Sequence, residues 1–247
     1  MRITPRDLLQ WTGRHVEAWT LLRLVLVALG VWGFAAIAEE VMEGGTHAFD
    51  TWLLLALRDA ANPQNPYGPG WLQEMFRDFT ALGGVGILTL ITIAVSGFLW
   101  MQGNRRSMML VITAIFSGFI MSSLLKRGFD RPRPDLVPHG SITYTASFPS
   151  GHAMLSAVVY LTLAVLVARV QPQRGMKIYL LSVAALLTLM IGISRVYLGV
   201  HWPTDVLAGW AAGASWALLW WVIATWLETR GVVESEKTED DAAPPRT

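Results

Sequence analysis

Long apolar runs determine what this chain can fold into. Six segments, each about 20 residues long, consist almost entirely of apolar side chains, with charged residues near their ends. A helix of about 20 residues spans the roughly 30 Å hydrocarbon core of a bilayer. The pattern therefore predicts an all-α polytopic membrane protein, a bundle of six transmembrane helices. The segments are residues 20–38, 82–101, 107–125, 152–170, 178–197 and 205–226.

Composition supports a membrane protein and excludes thiol chemistry. Hydrophobic residues make up 53% of the 247 residues and charged residues only 15%, as is typical of polytopic membrane proteins. The chain has no cysteine, so disulfides, thiolate catalysis and cysteine-ligated metals are excluded. The net charge of +1, without a basic stripe that carries interleaved aromatics, gives no indication of a nucleic-acid partner.

The first long connection, residues 39–81, contains two amphipathic pieces, FDTWLLLALRDA and GPGWLQEMFRDFTALGG. Their apolar residues recur at helical spacing, but both pieces are too short to cross a bilayer. We therefore expect interfacial helices at about 48–80. Residues 1–226 are predicted to form a single membrane domain, and the acidic, proline-containing residues 227–247 a disordered cytoplasmic tail.

Basic residues in the short connections indicate the orientation. Lysine and arginine are concentrated at both ends of the chain and in residues 102–106 and 171–177, which predicts that these parts are cytoplasmic. The first long connection and residues 126–151 then face outward, provided that the basic cluster in the latter is set aside as functional. The AIA triplet ending at residue 38 resembles a signal cleavage site, but the polar stretch before this span is long for a signal. We therefore expect an uncleaved anchor.

The first of three polar motifs on the outward side is KRGFDRPRP, residues 126–134, directly after the third span. It holds four cations within eight residues, more than the anchoring of one helix end by Lys126 requires. Its two prolines make the segment stiff and extended, which fixes where Arg131 and Arg133 point. Arginine grips phosphate oxygens in pairs, and lysine adds a point charge.

The second motif is PSGH, residues 149–152, at the mouth of the fourth span. Proline and serine suit a helix start, and Gly151 permits close approach of a ligand to the backbone. A helix N-terminus with free N–H groups is a ready anion site. Ser150 and His152 would border that site.

The third motif is SRVYLGVHWPTD, residues 194–205, with Arg195 at the end of the fifth span. If the sixth helix begins near Trp202, His201 and Asp205 lie on one face. A carboxylate bonded to one ring nitrogen makes the other nitrogen a better nucleophile or base. Taken alone, Asp205 is more simply a first-turn acid that the helix dipole favours. Together, however, the three motifs supply cations for an anion, a histidine with a carboxylate partner and a second histidine, as phosphoryl transfer requires.

The spacing of these motifs, K-x6-RP, PSGH and SR-x5-H-x3-D, resembles the signature of the type 2 phosphatidic acid phosphatase (PAP2) superfamily, in its bacterial integral-membrane branch. The resemblance covers about residues 80–226. It implies that His201 is the nucleophile and forms a phosphohistidine, that Asp205 orients it, and that His152 is the general acid. It implies no metal and no cofactor. The implied phosphate-binding residues are Lys126, Arg133, Ser150, Gly151 and Arg195.

The resemblance implies a phosphatase of the bacterial cytoplasmic membrane that acts on a lipid phosphate or diphosphate at the outer face. The family's most frequent activity favours undecaprenyl or another isoprenoid diphosphate. Phosphatidic acid, phosphatidylglycerol phosphate and a lipid A phosphate remain open, as does phosphotransfer to a lipid hydroxyl. A vanadate-dependent haloperoxidase shares the anion site but is soluble, and a non-enzymatic channel or scaffold would use the charges only to fix loops. Oligomeric state is not indicated.

Four further residues carry expectations of their own. Asp130 is expected to pair with a neighbouring arginine, a structural role. His139 is expected to be an ordinary loop residue, since a zinc site made with the two motif histidines would compete with the cations for the same volume. Gly209 and Gly213 form a GxxxG spacing that favours close helix packing within the bundle.

Overall fold

The structure, a computed structural model, describes residues 5–138 and 146–233, with side chains from residue 18 onward. The described chain is helical and contains no β-sheet, which confirms the all-α prediction. Its helices are α1 (Pro5–Glu43), α2 (His47–Ala56), α3 (Gly70–Leu82), α4 (Val85–Met101), α5 (Arg105–Gly128), α6 (Gly151–Ser156), α7 (Thr162–Arg169), α8 (Arg174–Tyr197) and α9 (Pro203–Thr229). A π-helical turn, Ala157–Leu161, joins α6 to α7 into one continuous span.

Five of these spans are long and apolar enough to cross a membrane, and a sixth results if α3 and α4 count as one bent span. The membrane-bundle prediction is thereby confirmed. The second span differs in detail, because α3 and α4 meet at an angle of 53°. The glycine pair Gly83-Gly84 lies at that bend, and α4 begins at Val85 rather than at residue 82.

Helix α1 continues to Glu43, beyond the predicted end of the first span at residue 38. The extension is held by packing, since Val41 is buried in a cluster with Phe148, the residue before the PSGH motif, and Ala208 of α9. Most large side chains from Trp19 to Trp32 are exposed on the same helix. Helix α1 therefore packs on α9 with one face, through contacts that also include Arg23 with Thr225, and exposes the opposite face.

The centre of the bundle is the α6–α7 span, Gly151–Arg169. In its most apolar window 83% of the residues are buried, against 33% or less in every other candidate span. It packs against α5, α8 and α9. The most enclosed helix therefore starts within the PSGH motif, so the polar residues at its N-terminus lie at one end of the protein core.

Two glycines of α9 let the central span approach closely. A Cβ on Gly209 would lie 2.9 Å from the carbonyl oxygen of Ser150, and one on Gly213 would lie 2.5 Å from that of Met154. Such distances leave no room for a side chain. The expected close packing within the bundle is therefore present, between α9 and α6.

Helices α2 and α3 confirm the two short helices expected at about 48–80. Leu54 of α2 is buried in a cluster with Trp202, and Phe76 of α3 stacks on Tyr197 with ring centroids 4.1 Å apart. Both helices thus cover the connection between α8 and α9. At the other end, α9 continues to Thr229, past the predicted domain limit of 226, and residues 234–247 of the expected tail lie outside the described residues.

The Gly213 contact can be tested by adding one methyl group. Because a backbone oxygen cannot swing aside, we expect Gly213→Ala to lower the free energy of unfolding by about 1–3 kcal/mol, as overpacking does elsewhere. Gly97→Ala in α4 is the matched control, since its Cβ would meet nothing within 4 Å and alanine favours the helix. Thermal unfolding in detergent measures both, and equal Tm values would contradict the packing.

Candidate active site

The three polar motifs meet at one end of the bundle. Residues from the end of α5, the start of α6, the end of α8 and the start of α9 converge there, and His152 interacts electrostatically with His201 and with three cations. The backbone N–H of Ser150 donates to the Asp205 carbonyl at 2.9 Å, which joins the starts of α6 and α9. All eight residues expected from the sequence therefore lie together: Lys126, Arg133, Ser150, Gly151, His152, Arg195, His201 and Asp205.

His201 is held between a cation and an acid. Its Nε2 lies 3.1 Å from Nη1 of Arg133, and its Nδ1 lies 3.4 Å from Oδ2 of Asp205. A guanidinium group can only donate, so the Arg133 contact requires an unprotonated Nε2. Nδ1 then carries the proton and faces the carboxylate, which leaves the Nε2 lone pair directed toward the cations.

Ser147 bridges His201 and Asp205, and the sequence analysis did not predict this role. Its Oγ accepts from His201 Nδ1 at 3.3 Å and donates to Asp205 Oδ2 at 2.5 Å, while its N–H donates to the Arg131 carbonyl at 2.9 Å. Ser147 lies two residues before the PSGH motif but belongs to none of the three motif patterns. Nothing in the sequence distinguished it from any other loop serine.

The contacts of Asp205 suit both of the roles considered for it. Its Oδ2 accepts the backbone N–H of Trp202 at 2.9 Å, as a first-turn acid that caps its own helix does. The same carboxylate faces His201 and is fully buried. The helix cap therefore fixes a carboxylate that faces the histidine.

Two of the expected phosphate-binding cations, Lys126 and Arg133, share one backbone carbonyl as acceptor. Arg133 donates to the Val200 carbonyl at 2.7 Å and to the Ala146 carbonyl at 3.4 Å. Lys126 also donates to the Ala146 carbonyl, at 3.5 Å. Burial lowers the pKa of Arg133, and the nearby Asp205 carboxylate opposes that change. The backbone thus fixes Arg133 beside His201 and Lys126 close to Arg133.

Arg195 is held from a part of the chain outside the three motifs. Its Nη1 donates to Thr80 Oγ1 of α3 at 2.6 Å, and its side chain is only 2% exposed. Thr80 is a second residue that sequence reasoning missed. Its 115-residue separation from Arg195 left no local signal.

Two of the buried polar atoms that lack a hydrogen-bond partner among the described residues lie at this site. Among the contacts of the described residues, neither Ser150 Oγ nor Arg195 Nε has a hydrogen-bond partner. Buried polar groups are nearly always paired, so each such atom calls for an explanation. Ser150 stands at the N-cap of α6, yet its side chain forms no capping bond. Its hydroxyl therefore remains available to an anion at the helix start.

The glycines at the site make room for side chains. A Cβ on Gly151 would lie 2.9 Å from Lys126 Cε, so the glycine admits the lysine to the helix start. We expected Gly151 to admit a ligand, and in the structure the lysine occupies part of that space. Similarly, a Cβ on Gly83 would lie 3.2 Å from the His152 ring, which therefore packs against the bend between α3 and α4.

The expectation for Asp130 needs correction, and His139 lies outside the described residues. Asp130 is exposed and pairs with no described arginine, whereas Arg131 forms ion pairs of 2.6 Å with both Asp50 and Asp205. The prediction for Asp130 was therefore wrong. His139 lies within the undescribed residues 139–145, and the described chain contains no group of three His, Asp or Glu residues that could hold a metal.

The fold and the site together define a membrane-embedded helical protein with a cation-lined histidine–aspartate centre. The family model described as PAP2 superfamily matches residues 107–228. Phosphatidylglycerophosphatase B of Bacillus subtilis is 32% identical over 148 residues, which cover 58% of this chain and 70% of that protein. A crystal structure of a transmembrane PAP2-type phosphatidylglycerolphosphate phosphatase from the same species matches with a TM-score of 0.67 and 25% identity, and covers 84% of this chain and 96% of its own.

Undecaprenyl-diphosphatase of Sulfolobus acidocaldarius is 31% identical over 106 residues, which cover 43% of this chain and 45% of that protein. Other relatives are named for further lipid phosphates. The chain belongs to the PAP2 superfamily. It is a membrane-bound enzyme of the lipid phosphate phosphatase class.

Burial of His201 makes stability depend on pH. Burial and the cations Arg195 and Arg133 lower the pKa of His201, and Asp205 only partly opposes them. The unfolded histidine takes up a proton near pH 6.5, while the native one resists it. The contribution of the neutral, buried His201 to the free energy of unfolding should therefore be present in full above about pH 6.5. The protein should become less stable as the pH falls below that value.

The matched variant His201→Gln isolates this effect. We expect the Tm of the wild type to fall more steeply than that of the variant between pH 7 and pH 5, since other titrating groups are common to both proteins. Thermal unfolding in detergent measures the difference. Parallel curves would mean that His201 is protonated as easily in the native protein as in the unfolded chain.

Proposed function

We propose that this enzyme removes a phosphoryl group from a lipid phosphate or diphosphate at the outward membrane face, through a phosphohistidine on His201. The observation that carries the proposal is the orientation of the His201 ring. Its Nε2 lies beside Arg133 at 3.1 Å, and its Nδ1 faces Asp205 and Ser147. A ring held in this way presents a nucleophilic nitrogen where cations would gather phosphate oxygens.

In the first step, His201 Nε2 forms a bond to phosphorus while the bond from phosphorus to the leaving oxygen breaks. His152 donates its proton to that oxygen, which leaves as the lipid alcohol or lipid phosphate. The developing positive charge on the His201 ring is stabilised by the Asp205 carboxylate. Asp205 thus serves as an orienting and stabilising group.

In the second step, water attacks the phosphohistidine and its proton passes to His152, which restores both histidines and releases inorganic phosphate. Lys126, Arg133 and Arg195 bind the phosphoryl oxygens and stabilise their charge. The Ser150 hydroxyl and the Gly151 N–H at the start of α6 add donors. The unpartnered Ser150 Oγ and Arg195 Nε support this assignment.

We further propose that hydrolysis needs no metal, because the cations supply the positive charge that phosphoryl transfer requires. The proposed orientation in the membrane rests on the lysines and arginines of the short connections, because such residues favour the cytoplasmic side. Both ends of the chain would be cytoplasmic and the site would face outward from a bacterial cytoplasmic membrane. The substrate's hydrocarbon chain could then remain in the outer leaflet while its headgroup reaches His201.

The substrate proposed is undecaprenyl diphosphate or a similar isoprenoid diphosphate. Support comes from the outward orientation and from the relative named undecaprenyl-diphosphatase. The second candidate is phosphatidylglycerol phosphate, which the Bacillus subtilis relative and the matching crystal structure favour by name. Phosphate release by the purified protein from these two lipids, phosphatidic acid and a lipid A phosphate, compared by kcat/KM, decides between them. Phosphate release that requires an added lipid alcohol would instead identify a phosphotransferase.

Removal of the proposed nucleophile should abolish turnover without unfolding the protein. We expect His201→Gln to lower kcat by several orders of magnitude, as the loss of a nucleophile does in other covalent mechanisms. The wild type should release phosphate equally fast with and without EDTA. Glu74→Gln, at an exposed ion pair of α3, is the control and should retain activity. A His201→Gln protein with normal phosphate release would overturn the mechanism.

A further inference from the structure

Asp205 is tied to an acid on another helix through a single arginine. Arg131 donates from Nη1 to Asp205 Oδ1 and from Nη2 to Asp50 Oδ2, both at 2.6 Å. Two threonine hydroxyls complete the fork, with Thr204 2.9 Å from Nη1 and Thr46 3.2 Å from Nη2. A planar guanidinium held at both ends cannot rotate without breaking several charge-assisted hydrogen bonds.

Asp50 comes from α2 and is fully buried. Besides Arg131, its carboxylate accepts the Thr204 N–H at 2.9 Å and the Thr204 hydroxyl at 2.7 Å. Thr204 lies in the first turn of α9, one residue before Asp205. Asp50 therefore binds both Arg131 and the start of α9, next to Asp205. It does so although it lies outside the residues 107–228 that match the family model.

The two oxygens of Asp205 have separate partners. Oδ1 accepts from Arg131, while Oδ2 accepts from Ser147 and the Trp202 N–H and faces His201 at 3.4 Å. Loss of the bond to Oδ1 would free the carboxylate to rotate and would change the position of Oδ2. The Arg131 cation also offsets the charges of two buried carboxylates that would otherwise repel each other.

We propose that Arg131 and Asp50 are positioning residues for the Asp205–His201 pair. Asp50 fixes Arg131, Arg131 fixes Asp205, and Asp205 orients the nucleophile. This inference rests on the roles proposed above for His201 and Asp205. A simpler role would be structural, with Asp50 only capping α9 and joining α2 to the bundle. The two roles differ in whether the effect passes through Asp205.

A double-mutant cycle separates these roles. We expect Asp50→Asn, which keeps the shape of the side chain, to lower kcat by about 10- to 100-fold, as small misplacements of reacting groups do, with a much smaller change in KM. In an Asp205→Asn background the same substitution should lower kcat by less than about threefold, because the carboxylate that it positions is already gone. Labelled lipid phosphate gives the sensitivity that the slow variants need.

Arg131→Lys provides a second test if Asp50→Asn fails to fold. Lysine keeps the positive charge but loses the fork, so kcat should fall by about tenfold or more, again less in the Asp205→Asn background. Glu74→Gln is the control, because Glu74 forms an exposed ion pair with Arg77 on α3. Its kcat should equal that of the wild type, and thermal unfolding verifies that each variant is folded.

The outcomes distinguish this inference from the proposed function. If Asp205→Asn and His201→Gln keep the wild-type kcat, the proposed mechanism fails and the positioning role fails with it. If both lose activity but Asp50→Asn does not, or if Asp50→Asn lowers kcat by the same factor in both backgrounds, only the positioning role is overturned. A reduced loss in the Asp205→Asn background supports it.

Discussion

The carboxylate of Asp205 is the point on which the rest of the site depends. It caps α9, faces His201 Nδ1, accepts from Ser147 and forms an ion pair with Arg131. Because a buried carboxylate is costly unless it is paired and hydrogen-bonded, these contacts together offset the cost of burying its charge. The contacts that make its burial tolerable also leave it a single orientation toward the histidine.

The membrane fold explains why these charges gather where they do. The central span is buried along nearly its whole length, so charged groups are tolerated only near its ends, and at its N-terminus free N–H groups are available as well. Arg131 offsets Asp50 and Asp205, and the site still contains the cations Lys126, Arg133 and Arg195. The excess of positive charge suits a phosphate. Backbone carbonyls bind Lys126 and Arg133, and the Thr80 hydroxyl binds Arg195, so the cations are held at the site.

Sequence reasoning succeeded where the signal was local and failed where contacts were distant. The spans followed from apolar runs, and the three motifs from residues a few positions apart. Ser147 and Thr80 acquire their roles only through folding, and Asp50 meets Thr204 across 154 residues. Asp130 was assigned a neighbouring arginine because it is adjacent in sequence. In the fold Asp130 points to solvent, while Arg131 faces the core and takes two other acids.

Residues 39–82, which lie before the matched family residues, contact the candidate active site directly. Asp50 forms an ion pair with Arg131, and the Thr80 hydroxyl accepts a hydrogen bond from Arg195. The apolar residues Leu54 and Phe76 pack on the connection that contains His201. The three motifs would supply the reacting groups under the proposed mechanism, whereas α2 and α3 bind residues that contact those groups and cover one side of the site. A region that both borders the site and fixes its reacting groups can alter substrate preference without any change in the motifs.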